Sequence, residues 1–278
     1  MKIHFVSFYG VDFDMDLLPY WCHWYRDRKF DSYTVFLHRY PDKVLEYDIE
    51  AFRLHGFDVR IAPCKPYTDG HIQKTILSPF ASSLPQEDFL VVADADEFQC
   101  SPESILPINY RKALKEYDML FGGLCDFYGN SLEECLTDPF LQYPHMEPNE
   151  GALQSSFTPP WMPGADAQAL PGCLTWSMKK DNPWPATRRT KILAARCGAG
   201  VDFSGSHGTL EGSTNIKVDF GYRVAHCPWI ASVTKKMLAK SYYDTALCGR
   251  VGAGNEETLR ERERLLREIN SVPIGRMV

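Results

Sequence analysis

The chain contains 278 residues, 44% of them hydrophobic, and carries a formal charge of −6 at pH 7. This length suits one large α/β domain with a sizeable core, and an acidic balance without a dense Lys/Arg run argues against nucleic acid as the main partner. The nine cysteines include no Cys-x-x-Cys pair, so we expect buried thiols rather than a disulfide framework or a zinc site.

Neither a signal peptide nor a membrane span is predicted. The apolar run at the start of the chain, 1–8, is too short for a signal peptide, and no stretch of 18 apolar residues occurs. We therefore expect a soluble, cytoplasmic protein.

The first hundred residues predict strands and helices in alternation. Residues with strong β-propensity predict strands at 2–9, 32–38, 57–62 and 89–93. Apolar spacing predicts helices over 16–25, up to Gly56 and up to Leu77. This β-α-β-α-β-α-β order is typical of a doubly wound nucleotide-binding half. No Gly-x-Gly-x-x-Gly follows the first strand and no P-loop motif occurs, so a nucleotide would be held in another way.

Two carboxylates follow the fourth predicted strand. Side chains alternate along an extended backbone, so Asp94 and Asp96 are expected to point to the same side at the carboxyl edge of the sheet. Open α/β sheets bind ligands at that edge, and a hard divalent cation would relieve the repulsion between the two acids. The alternative is that the acids only cap a following helix around 101–106.

The residues Asp94-Ala95-Asp96-Glu97-Phe98, behind an apolar strand, resemble the metal-binding motif of GT-A glycosyltransferases, in particular the family-2-like and family-92-like enzymes. In that family the acids hold Mn2+ or Mg2+ against the diphosphate of a nucleotide-sugar. The resemblance implies an α/β fold with a GT-A type doubly wound mixed sheet, in which a Rossmann-like nucleotide-binding half is joined to an acceptor-binding half. It also implies a single domain, which we divide into a nucleotide-sugar half at 1–100 and an acceptor half at 101–250, followed by a C-terminal helix at 251–278.

The same resemblance assigns residues to the donor and to the metal. Contacts with the nucleotide-sugar are implied for Ser7, Tyr9, Gly10, His38, Gln73, Lys74, Asp94, Ala95, Lys191 and His226. Metal ligands are implied at Asp94, Asp96 and His207, the last in a Gly-Ser-His-Gly element. A neutral imidazole beside two carboxylates would suit Mn2+. For each residue outside the acidic motif, ordinary loop or core polarity is the alternative.

An acid on the next predicted strand, over 117–129, is the candidate general base. Inverting transfer needs a carboxylate that accepts the proton of the attacking hydroxyl, and Asp126 follows the apolar run of this strand. Related enzymes have Asp followed by Arg here, whereas this chain has Phe127, which leaves the role of Asp126 open between base and turn residue. The reserve candidates are Glu150, Asp166 and Asp181.

Residues 137–186 are predicted to form acceptor-recognition loops. They contain nine prolines and three tryptophans without clear periodicity, and so long a stretch inside a domain is usually functional. Because flat aromatic rings cover the C–H faces of sugars, we expect a carbohydrate acceptor. The alternative is that the tryptophans fill a secondary core.

A charged helix is predicted from 255 to 269. Acids open it, and Leu259, Leu265, Leu266 and Ile269 form a modest apolar stripe along it. We expect this helix to dock on the domain or to form a homodimer.

The favoured hypothesis is a metal-dependent glycosyltransferase that moves a sugar from a nucleotide-sugar, with a UDP-sugar favoured, to a hydroxyl of a carbohydrate acceptor, with inversion. A sugar-phosphate nucleotidyltransferase also uses paired acids, but it normally has a Gly-rich phosphate loop after the first strand, and Tyr9-Gly10-Val11-Asp12 is not such a loop. From a different class, the alternative is a non-catalytic carbohydrate-binding relative of the fold.

Overall fold

The protein is organised around a mixed β-sheet, which its computed structural model shows with helices on both faces. The structure describes residues 1–13, 15–39, 44–62, 73–101, 106–128, 136–142, 145–146, 190–199, 201–202, 209–210 and 217–227. Within these residues, nine strands join the main sheet and two more form a separate two-stranded sheet.

The strands are β1 Ile3–Gly10, β2 Ser32–His38, β3 Asp58–Ile61, β4 Phe89–Asp94, β5 Glu97–Cys100, β6 Met119–Tyr128, β7 His145–Met146, β8 Thr190–Arg196, β9 Val201–Asp202, β10 Thr209–Leu210 and β11 Val218–His226. The helices are α1 Leu18–Arg26, α2 Glu46–Arg53, α3 Ser78–Ser82, α4 Tyr110–Ala113 and α5 Pro139–Gln142, with a π-helical segment Gln73–Leu77 before α3 and a 3-10 turn Cys197–Ala199 after β8. None of the described helices is both long and apolar enough to span a lipid bilayer.

The order of strands in the main sheet is β3-β2-β1-β4-β8-β6-β11-β5, and β7 pairs with β6 outside this path. The first four are parallel, in the order 3-2-1-4 that one of the two common doubly wound arrangements has. Beyond them β8 is antiparallel to β4 and to β6, β11 is parallel to β6, and β5 is antiparallel to β11. The predicted α/β class is therefore confirmed, with a mixed sheet.

The core lies on both faces of the parallel strands because their apolar residues alternate. Phe5 and Tyr9 of β1 point to the face that α1 and α2 cover, where the ring of Trp21 lies 5.5 Å from each of their rings, centroid to centroid. Val6 and Phe8 point to the opposite face and belong to a cluster with residues of α3 and the π-helical segment. Burying each large apolar side chain stabilises the fold by about 1.5–3 kcal/mol, so burial on both faces holds such a strand between two layers of helices.

The strand order reverses between β1 and β4, which makes this the topological switch point of the sheet. The register pairs Phe8 with Asp94 across β1 and β4, and Gly10 with His38 across β1 and β2. The carboxyl ends of all three strands thus lie at one edge. Open α/β sheets bind ligands in the crevice outside this edge, at the switch point.

The chain turns sharply directly after β4. Strand β4 ends at Asp94, Ala95 and Asp96 form a turn, and β5 begins at Glu97, which pairs with His226 of β11. The expected extended backbone through Asp96 is therefore wrong, because the turn intervenes. Since β4 and β5 are fourth and eighth in the strand order but only two residues apart in the chain, the sheet must curl.

Candidate functional site

The candidate site is centred on residues 94–97, which we call the acidic turn because three of its four residues are carboxylic acids. Helix α1 holds the backbone of the acidic turn. Trp21 Nε1 donates to the carbonyl of Asp94 at 3.0 Å, and the Tyr25 hydroxyl donates to the carbonyl of Glu97 at 3.0 Å. Trp21 and Tyr25 are one helical turn apart and fully buried, so one face of α1 makes both contacts. Two backbone carbonyls are satisfied in this way, which fixes the turn relative to the helix.

Beneath the acidic turn, the buried Gln99 connects β5 to its neighbours. Its backbone N–H donates to the Tyr25 hydroxyl at 3.1 Å, and its side-chain amide donates to the carbonyl of Val92 at 2.5 Å. The Tyr110 hydroxyl of α4 donates to Gln99 Oε1. Burial raises the pKa of both Tyr25 and Tyr110, so both hydroxyls stay protonated and able to donate at neutral pH. A buried polar network with its partners in place favours a single arrangement of the turn above it.

Lys191 of β8 pairs with two acids of the acidic turn. Its Nζ lies 2.5 Å from Asp94 Oδ2 and 2.6 Å from Glu97 Oε1. The side chain of Lys191 is 8% exposed and that of Glu97 is 2% exposed, whereas that of Asp94 is 38% exposed. A buried ammonium group therefore links one buried carboxylate to one that faces solvent.

The electrostatics of this cluster keep Lys191 charged. Burial disfavours its ammonium form, but the attraction of Asp94 and Glu97 more than offsets this and raises the pKa of Lys191 above its ordinary value. Burial raises the pKa of Glu97, and the Lys191 ammonium acts in the opposite direction. The charges of Asp94, His226 and Asp96 also act on Glu97. Lys191 is thus protonated at neutral pH, and the buried Glu97 carboxylate depends on it as a counter-ion.

Strand β11 holds the acidic turn from the other side. His226 Nε2 lies 3.6 Å from Asp96 Oδ2, and the Cys227 N–H donates to the Asp96 carbonyl at 2.8 Å. These contacts follow from the register in which His226 pairs with Glu97 across β11 and β5. Both the backbone and the side chain of Asp96 are therefore placed by a strand far away in the sequence.

The charge balance of the cluster suits a divalent cation. Of the three carboxylates in the acidic turn, Asp94 and Glu97 share the Lys191 ammonium group and Asp96 lies near His226, so two negative charges remain when His226 is neutral. Carboxylate oxygens beside an imidazole nitrogen form a donor set that Mn2+ accepts. Among the described residues, no group of three or more His, Cys, Asp or Glu side chains is arranged to hold a metal ion by itself. A cation at Asp94 and Asp96 would therefore need further ligands from phosphate or water.

Three of the predicted donor contacts at the ends of β1 and β2 have buried side chains, namely Ser7, Tyr9 and His38. The Ser7 hydroxyl donates to the carbonyl of Ala93 at 2.8 Å, and the Tyr9 ring is fully buried among aromatic residues of α1 and α2. Gly10 and His38 lie side by side at the carboxyl ends of their strands. All four are near the switch point, but Ser7 and Tyr9 make interior contacts, and nucleotide binding by any of the four stays a prediction.

The remaining predicted site residues are described in part or lie outside the described structure. Gln73 and Lys74 begin the π-helical segment, and Ala95 is a buried residue of the acidic turn. Asp126 lies within β6, where its backbone pairs with that of His226. The structure thus brings Asp126 next to the strand that borders the acidic turn. Outside the described residues are His207, Glu150, Asp166, Asp181, the C-terminal helix 251–278 and most of the loops 137–186.

Sequence reasoning missed the residues that support the site, namely Trp21, Tyr25, Glu97 and Gln99. A signal for Glu97 was present, because an acid that opens an apolar strand needs a cationic partner when it is buried. A signal for the hydrogen bonds made by α1 was also present, since a buried Trp or Tyr usually finds an acceptor for the polar end of its ring. Neither signal names the partner.

Comparison with known proteins assigns no family. No protein-family model matches the chain, and a search of curated proteins finds no match. What the protein does must therefore be inferred from the acidic turn, its partners Lys191 and His226, and its place at the switch point of the sheet.

Proposed function

We propose that the protein is a metal-dependent glycosyltransferase that moves a sugar from a nucleotide-sugar, with a UDP-sugar favoured, to a hydroxyl of a carbohydrate acceptor. The observation that carries this proposal is the position of the acidic turn at the switch point of the parallel strands β3-β2-β1-β4, where open α/β sheets bind nucleotides. The likeness of Asp94-Ala95-Asp96-Glu97-Phe98 to the GT-A motif supports the same conclusion. A GT-A type fold, with a nucleotide half and an acceptor half, is part of the proposal.

Asp94 and Asp96 would hold Mn2+ or Mg2+. When bound, the cation would supply positive charge against the diphosphate that departs from the sugar. The contribution of the chain is to keep the two carboxylates in place, through Trp21 at the Asp94 carbonyl and Cys227 at the Asp96 carbonyl. Such support matters because electrostatic stabilisation is largest when the stabilising groups do not have to reorganise.

In inverting transfer, the acceptor oxygen forms a bond to the anomeric carbon while the bond from that carbon to the diphosphate breaks. The electron pair of the broken bond leaves with the diphosphate, and the hydroxyl proton passes to a carboxylate. We nominate Asp126 as this base because its backbone pairs with His226, beside the acidic turn. Glu150, Asp166 and Asp181 are the reserve candidates.

Hydrolysis of nucleotide-sugars in the presence of Mn2+ tests the proposal. The protein is incubated with a panel of UDP- and GDP-sugars plus MnCl2, and free nucleotide is measured with and without added carbohydrate. We expect turnover of at least one donor, and a loss of about 100-fold or more in Asp96→Asn, the usual scale for removing one positioned electrostatic group. Asp58→Asn is the matched control, because Asp58 is an exposed acid on the edge strand β3.

The outcomes separate the candidate functions. Turnover that is equal in Asp96→Asn and the parent, or no turnover of any donor, would contradict the proposal. Sugar binding without affinity for nucleotides would indicate a carbohydrate-binding protein instead. Release of pyrophosphate from a nucleoside triphosphate and a sugar phosphate would indicate a nucleotidyltransferase.

A further inference from the structure

Lys191 on β8 reaches Asp94 at the end of the neighbouring strand β4. Strands β4 and β8 are antiparallel, with Val91 opposite Ala194. Lys191 precedes Ala194 by three residues and Asp94 follows Val91 by three, and Lys191 Nζ lies 2.5 Å from Asp94 Oδ2. The Lys191 side chain is 8% exposed, so the contact is made by a buried side chain of the sheet.

The two acids that share Lys191 differ in their environment. Glu97 is buried, so losing Lys191 would leave it as an uncompensated interior charge, which is strongly unfavourable. Asp94 faces solvent on one side and can take water or another cation in place of the ammonium group. Glu97 therefore depends on Lys191 more than Asp94 does, because only the Asp94 carboxylate is open to solvent.

We propose that Lys191 is a built-in competitor of the divalent cation for Asp94, and that Glu97 keeps Lys191 in the site. This role rests on the proposed function and deepens it. Lys191 sets the apparent affinity for the cation, so that a cation binds firmly only when a diphosphate supplies additional ligands. Lys191 and Glu97 act here as positioning residues, and the role requires no contact between either of them and the sugar.

The double variant Lys191→Met/Glu97→Gln tests this proposal without changing the net charge. It removes the competitor together with the acid that holds it, so no unpaired charge remains buried. We expect the dissociation constant for Mn2+ in the absence of nucleotide, measured by electron paramagnetic resonance of free Mn2+, to fall about tenfold, the scale of one charge-assisted hydrogen bond. The control is Arg196→Met/Asp118→Asn, which removes the 2.6 Å ion pair at the other end of β8 and should leave Mn2+ binding unchanged.

The single variant Glu97→Gln replaces only one heavy atom of the side chain. We expect it to change the affinity for Mn2+ in the opposite direction. The glutamine amide oxygen can still accept from the Lys191 ammonium group and keep it in the site, but Asp94 is then its remaining carboxylate in the acidic turn. The ammonium group therefore pairs more strongly with Asp94, and the dissociation constant for Mn2+ should rise about threefold or more. This variant keeps the proposal testable if circular dichroism shows that the double variant does not fold.

Failure of this inference differs from failure of the proposed function. An unchanged or weaker affinity for Mn2+ in the folded double variant, or an unchanged affinity in Glu97→Gln, overturns the inference while Mn2+-dependent transfer by the parent stands. If the parent binds no Mn2+ with or without UDP, the inference and the metal-dependent function are overturned together.

Discussion

The Tyr25 hydroxyl donates to the carbonyl of Glu97 at 3.0 Å and accepts from the N–H of Gln99 at 3.1 Å, so one oxygen ties helix α1 to the start of β5. All three residues are buried. Tyr25 is therefore a support of the acidic turn as well as a core residue.

Replacing Tyr25 with phenylalanine should destabilise the fold by about 1–3 kcal/mol, because the Glu97 carbonyl and the Gln99 N–H both lose their partner in a buried place. Urea denaturation measures the loss. Tyr20→Phe on the same helix is the control, since Tyr20 is only partly buried and no hydrogen bond of its hydroxyl is seen within the described residues. Equal stability of the two variants would contradict this account of Tyr25.

Gly56 ends the turn after α2 with a φ of +78°, and a Cβ there would lie 2.0 Å from Arg26 Nη1. Gly56→Ala should lower the free energy of unfolding by about 1–2 kcal/mol, because alanine is strained in this conformation and Arg26 would have to move. Thermal or urea unfolding measures the change. The control Leu54→Ala alters a strongly exposed side chain in the same turn and should stay within about 0.5 kcal/mol of the parent.

Asp88 should make stability depend on acid pH. Burial acts to raise its pKa, but hydrogen bonds from the Lys2 N–H at 2.6 Å and from His4 outweigh this, so the pKa lies below its ordinary value of 3.8. A carboxylate with a lowered folded pKa stabilises the fold above its unfolded pKa, and this stabilisation disappears as the pH falls through the folded pKa. Asp88→Asn should therefore be less stable than the parent at pH 7, by about 1–2 kcal/mol.

The difference between Asp88→Asn and the parent should shrink as the pH falls below about 4, and denaturation across a pH series measures it. The neighbouring exposed acid gives the control, since Glu87→Gln should follow the parent curve at every pH. A constant difference between Asp88→Asn and the parent down to acid pH would show that the charge of Asp88 is not responsible.

Removing divalent cations should abolish the proposed transfer. Dialysis against EDTA should stop release of nucleotide, and MnCl2 should restore it, because Asp94 and Asp96 would otherwise face a diphosphate without a cation between them. A thermal-shift measurement gives a second readout, since UDP with Mn2+ at 100 times the dissociation constant adds about 2.7 kcal/mol of stability. The double variant Asp94→Asn/Asp96→Asn should show no such shift. Transfer that survives EDTA would contradict a metal-dependent reaction.

The parallel half of the fold could be predicted because its signals are local. Strand β1 carries Phe5 and Tyr9 for one face and Val6 and Phe8 for the other, so its burial pattern is readable within eight residues. The strand predicted at 32–38 is found at Ser32–His38, and the strand predicted at 57–62 is found at Asp58–Ile61 although its residues are mostly exposed. Periodicity within one segment is enough to place such strands.

The geometry of the acidic turn could not be predicted because its causes are distant. The predicted strand ends near Asp94, but Ala95 and Asp96 include no glycine or proline, which are the strongest local signals for the turn that follows. The turn exists because β5 leaves β4 to pair with β11, which sets Glu97 beside His226. Likewise, the pairing of Lys191 with Glu97 depends on the place of β8 beside β4 in the sheet, which no short pattern encodes.

The curl of the sheet sets the order in which parts of the acidic turn's surroundings become available during synthesis of the chain. Asp94 precedes Lys191 by 97 residues, and β11, which pairs with β5, follows later still. On a ribosome the acids would emerge well before their counter-ion, and their mutual repulsion would persist until the distant strands arrive. The parallel half of the nascent chain would thus form first, and the surroundings of the acidic turn would be completed only when β8 and β11 join the sheet.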